Sequence, residues 1–90
     1  MVAELKVMAA LGPGPNPKCL ERASEIRFLI QNQEWSSPYL AEKVDQVYRN
    51  LEILLSTRRW RELDVDGLRA EIKSGCARIL TALGEGARAV

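Results

Sequence analysis

Between residues 38 and 55 the apolar side chains Leu40, Val44, Val47, Leu51 and Leu54 are spaced four and three apart, and that spacing leaves little choice of structure. At roughly 100° per residue they fall in one narrow sector of a helix, which Ala41, Tyr48 and Leu55 widen into a core-facing stripe. Ser36 or Ser37 offers a hydroxyl to the unpaired N–H groups at the start, and Pro38 suits the first helical position because it has no donor to leave orphaned. The helix therefore begins near residue 37. Run on to Trp60, it is about 33 Å long at roughly 1.5 Å per residue, and the rest of the chain has to pack on it.

Two further stripes supply the packing partners. Asn16 followed by Pro17 is a helix start, and Cys19, Ala23, Ile26 and Ile30 share one face of a helix over about 17–33, flanked by Leu20 and Leu29. Asp64 and Asp66 provide capping carboxylates for a third helix over about 65–83, with Val65, Leu68, Ile72, Cys76, Ile79 and Leu83 on one face. Gly75 lies inside that helix, where it costs about 1 kcal/mol relative to alanine, so a close helix crossing is expected there. Gly84 and Gly86 are read as its stop, with residues 87–90 as a frayed tail.

The segment before residue 16 is read differently. Residues 2–11 have helix-forming composition but only about three turns, marginal for an isolated helix in water. They are followed by the breaker run Gly12, Pro13, Gly14, Pro15, Asn16 and Pro17. Residues 1–15 are accordingly expected to be a flexible N-terminal arm, and residues 16–86 the helical domain. The fold class is all-α: a small antiparallel bundle of three helices in up-down-up order.

Composition narrows the chemistry. Ninety residues carry 13 Lys and Arg against 12 Asp and Glu, a net charge of +1, so no overall field draws the chain to nucleic acid or to an acidic membrane. No apolar run approaches the ~20 residues of a membrane span, and a cytoplasmic location is the default expectation. There is no histidine, which removes His-containing metal sites, a Ser/His/Asp triad and the usual proton shuttle near neutral pH. Cys19 and Cys76 form no Cys-x-x-Cys pair and sit on apolar stripes as small hydrophobes. No glycine spacing matches a phosphate or dinucleotide cradle, and no cofactor, metal or catalytic residue is expected.

Residues 47–54 resemble the recognition-helix segment of winged-helix repressors of the ferric-uptake type, and residues 40–43 resemble the helix before it. The resemblance covers about fifteen residues. A helix-turn-helix needs a break between its two helices, whereas the apolar period here runs unbroken from Leu40 to Leu54. The histidines and the β-hairpin wing of that family are also missing, so the resemblance does not set the reading.

Function is then expected to lie in protein binding: a non-catalytic adaptor, small chaperone or assembly subunit whose partner is another copy or another helical protein. The anchors are apolar residues that the three stripes leave out, Phe28, Ile53 and Trp60, with Arg49 beside them. Ile53 and Trp60, seven apart, are expected on one line along the back of the central helix. The alternative is a small DNA-binding regulator, or an antitoxin-like protein, that uses Arg58, Arg59 and Arg61 around Trp60 to hold phosphates.

Overall fold

The computed structural model describes residues 2–34, 36–56 and 60–88, without the side chains of Trp60 and of residues 85–88. Four α-helices follow one another: α1 (Val2–Leu11), α2 (Pro17–Gln31), α3 (Pro38–Ser56) and α4 (Val65–Arg88), with a 3₁₀ turn at Trp60–Glu62 before the last. No strand occurs among the described residues. The assembly is a rod of 45 × 22 × 19 Å. None of its described helices is long and apolar enough to cross a membrane.

The central stripe behaves as its spacing requires. Leu40, Val44, Val47, Leu51, Leu54 and Leu55 are all buried, and α3 packs on α2 along one side and on α4 along the other. Ser37 accepts the Leu40 N–H on its hydroxyl at 3.1 Å, satisfying one of the orphan donors ahead of Pro38. No turn interrupts α3 between residues 38 and 56, which removes the helix-turn-helix geometry that the ferric-uptake resemblance would need.

Neighbouring helices run antiparallel, as cross-links of descending number show. Arg27 reaches Asp45 and Gln31 reaches the Ala41 carbonyl, which fixes α2 against α3. On the other side Gly75 of α4 meets Val47 of α3 so closely that a Cβ placed there would overlap Val47 Cγ2. The close crossing expected at Gly75 is therefore present, and glycine is what permits it. Asn16 caps α2 by accepting the Cys19 N–H at 3.2 Å, and Asp64 caps α4 by accepting the Gly67 N–H at 3.0 Å.

The flexible N-terminal arm is corrected to a docked fourth helix. Val2, Leu5, Met8 and Ala9 are buried, chiefly against α4 and also against α3. Arg69 of α4 donates from Nε to the Ala9 carbonyl at 3.1 Å and from Nη2 to the Gly12 carbonyl, holding the end of α1 where helix carbonyls lack partners. Ten residues too few to persist alone persist here because four of their side chains complete a core that three helices leave open on one side.

The breaker run is a strap rather than a hinge. Its backbone donates from Gly14 N–H to the Leu54 carbonyl at 3.0 Å and from Asn16 N–H to the Leu55 carbonyl at 2.7 Å, pairing carbonyls at the end of α3. Gly12 is buried in this contact, and a Cβ on it would come within 2.6 Å of Leu54 Cγ. The close approach of the strap to the Leu54 and Leu55 side chains, not turn chemistry, favours glycine at that position.

Three boundaries also differ from expectation. α2 stops at Gln31: Asn32 keeps the helical bond from its N–H to the Phe28 carbonyl and adds its side-chain amide to the same oxygen, while the Gln33 N–H turns to the Ile30 carbonyl, three residues back. α3 stops at Ser56 rather than Trp60; residues 57–59 lie outside the described residues. α4 passes through Gly84 and Gly86 to Arg88, so Ala87 and Arg88 belong to a helix and not to a tail, while residues 89 and 90 lie outside the described residues. A glycine ends a helix by taking a positive φ, and among the described glycines only Gly14 does so.

Candidate functional site

With Ala23, Ile26 and Ile30 turned into the core, the helical period places Pro17, Leu20, Glu21, Ser24 and Phe28 toward the outer side of α2. Tyr48 of α3 stands across from them, and together with Glu25 and Leu29 they line an open groove of about 730 Å³. Phe28 is 64% exposed and Leu29 40%, while Leu20 and Tyr48 are partly buried and pack against the core. Ser24 is the small residue between Leu20 and Phe28 on this surface.

The Tyr48 wall is fixed by a charged cluster. The Arg27 guanidinium lies over the Tyr48 ring at 4.0 Å and donates to Asp45 Oδ1 at 3.2 Å, while Arg49 donates to Asp45 Oδ2 at 2.8 Å. One carboxylate thus holds both arginines. The opposite lip is acidic. Glu25 is engaged by Arg22 Nη1 at 3.1 Å, and the same Arg22 binds Glu4 of α1 through Nε at 2.7 Å and Nη2 at 3.3 Å. The hydrogen bonds from Arg22 hold the Glu4 carboxyl below its ordinary range. Glu21 has no ion-pair partner among the described residues.

Of the expected anchors, Phe28 and Ile53 line different hollows. Phe28 lies in the groove between α2 and α3. Ile53, 44% exposed, lies in a different hollow of about 470 Å³ formed with Glu62, Leu63, Asp64, Gly67, Leu68 and Glu71 beside the start of α4. The line expected from Ile53 to Trp60 runs through residues 57–59, which lie outside the described residues, and Trp60 begins the 3₁₀ turn. The Trp60 side chain lies outside the described residues. Arg49 is exposed and tied to Asp45 on the Tyr48 side of the first groove.

Arg58 and Arg59 also lie outside the described residues, and Arg61 sits in the 3₁₀ turn with its side chain exposed. Cys76 is fully buried, and burial pushes its thiol up from its ordinary value; Cys19 is half-buried. A thiol held protonated is a packing group rather than a nucleophile. Asp64 is engaged as the α4 cap.

Leu20, Glu21, Glu25, Leu29 and Tyr48 were not singled out as site residues from the sequence. A usable signal existed: Leu20, Ser24 and Phe28 are spaced by four, a second and shorter stripe on the helix whose main stripe is the core. In comparisons with known proteins the chain matches no family model, no curated protein and no solved structure.

Proposed function

We propose that this protein is a non-catalytic interaction module, an adaptor, small chaperone or assembly subunit, that receives another protein in the groove between α2 and α3. The observation that carries the reading is the exposure of Phe28 and Leu29 in one hollow with Leu20 and Tyr48. A single exposed hydrophobe is ordinary, but an aromatic and a leucine in one hollow with a second aromatic and a second leucine, with Glu21 and Glu25 as the charged residues of the lining, have the composition of a binding surface. The groove is an open trough, a shape suited to a helix laid along it.

Site-specific photo-crosslinking in cells tests this. A photoreactive phenylalanine at position 28 is expected to trap a discrete protein adduct, one that the same group at exposed Ala70 of α4 does not trap. Identical adduct patterns at the two positions, or none at position 28, remove the groove as an interface.

A further inference from the structure

Resting on the interaction reading above, we infer that the occupant of the α2–α3 groove is a basic amphipathic helix belonging to a different protein. The lining carries two carboxylates, Glu21 and Glu25, and no lysine or arginine among its described residues. Of the basic side chains around it, Arg22 is engaged by Glu4 and Glu25, and Arg27 and Arg49 by Asp45; Lys18, three residues before Glu21 on α2, is outside the lining and forms no ion pair among the described residues. Glu21 is left to meet charge from outside. Lysine or arginine flanking the apolar face of an incoming helix complements this lip and steers its approach.

The apolar spacing specifies the rest of the partner. Leu20, Ser24 and Phe28 span nine residues of α2, eight steps or about 12 Å at roughly 1.5 Å per residue, the length of about two turns of a facing helix. Such a helix offers apolar residues at i, i+3 or i+4, and i+7, and the small Ser24 lets its backbone approach between the two larger side chains. A second copy of this chain fits less well. A two-fold contact through the groove presents the same patch from both sides, and a lining without lysine or arginine offers Glu21 and Glu25 no cation in return.

The test uses the full chain and two synthetic peptides of about fourteen residues, each with leucines at i, i+4, i+7 and i+11. One has lysines flanking that face and the other glutamates. Binding is followed by amide chemical shifts on the wild type, on Phe28→Asp, and on a Glu21→Lys, Glu25→Lys variant, with unchanged helical content required of each. The lysine peptide is expected to shift amides around Leu20, Ser24, Phe28 and Tyr48. Its affinity should fall at least ten-fold in the lysine variant at low salt, and binding should vanish with Phe28→Asp. The glutamate peptide should prefer the lysine variant.

Equal binding of both peptides, shifts centred on the Ile53 hollow, or no saturation of the wild type overturns the inference. So does concentration-dependent self-association in sedimentation that Phe28→Asp abolishes, since the occupant is then a second copy. A discrete adduct at position 28 with no binding of the lysine peptide removes the basic helix and leaves the interaction module standing. Saturable binding of the lysine peptide with no adduct in cells removes the module and leaves the groove's preference intact.

Discussion

α3 and α1 are both helices with one buried side, yet they hold their places by different means. α3 buries Leu40, Val44, Val47, Leu51, Leu54 and Leu55 between two neighbours, so every turn of it is tied to the core. α1 buries Val2, Leu5, Met8 and Ala9 on one side of the rod and leaves Val7 and Leu11 exposed. Its polar ties are few: Glu4 to Arg22, and Arg69 to the carbonyls of Ala9 and Gly12. The difference teaches that a helix between two partners is part of the global folding unit, whereas a short peripheral one opens at lower free energy on its own.

The strongest attack on this contrast is Leu51→Ala. Leu51 is completely buried at the middle of α3, and its truncation is expected to cost about 2 to 5 kcal/mol of global stability in denaturant unfolding. A cost under about 0.5 kcal/mol, the scale of surface substitutions, would place the core elsewhere.

Arg69→Met separates the two helices more sharply. It removes a charged donor from two carbonyls, and bonds to charged groups contribute about 1.5 to 3 kcal/mol. Hydrogen exchange should show the amides of residues 5–11 losing protection on that scale while those of residues 44–54 lose far less. Equal losses in both segments would make α1 part of the global unit and break the comparison.

Gly75→Ala probes the other flank of α3. Alanine is the better helix former by about 1 kcal/mol, but its Cβ collides with Val47, and overpacking costs about 1 to 3 kcal/mol. Val47 is β-branched on a helix and has little rotamer freedom with which to retreat, so a net loss of about 1 kcal/mol is expected. The loss should shrink in a Val47→Ala background. A stabilising Gly75→Ala would mean that α3 and α4 have room to separate.

The smallest effect concerns pH. Arg22 depresses the Glu4 carboxyl in the folded chain, so this pair's contribution is present above the ordinary value of 4.5 and is lost as pH falls from there through the lower folded value. Both side chains are exposed, and the contribution is correspondingly weak. Amide exchange in α1 is expected to quicken modestly over that acidic window in the wild type and not in Glu4→Gln. An identical profile in the two would show that the ion pair adds nothing to docking.

What was legible in the sequence follows from periodicity and local chemistry. The stripe of α3, the caps at Asn16, Ser37 and Asp64, the burial of Ile72, Cys76 and Ile79 and the close crossing at Gly75 are all written in residue type and spacing. Each depends on neighbours within one helix, or on a glycine whose cost required a reason. Phe28 and Ile53 were likewise recognisable as left over from the stripes, and both are exposed.

Tertiary structure alone decided the rest. Residues 2–11 are apolar on more than one side, so no sequence rule says which side, if any, finds a partner; the open flank of α4 and the distant Arg69 choose it. The strap at residues 12–16 pairs with carbonyls some forty residues away, which a local reading of glycine and proline cannot supply. Whether leftover hydrophobes share a surface depends on where helices end and which neighbours flank them. Phe28 therefore joined Leu20 and Tyr48 in one groove, and Ile53 was placed in another. Spacing fixes the face that a side chain occupies on its own helix, and only the packing of helices fixes what that face meets.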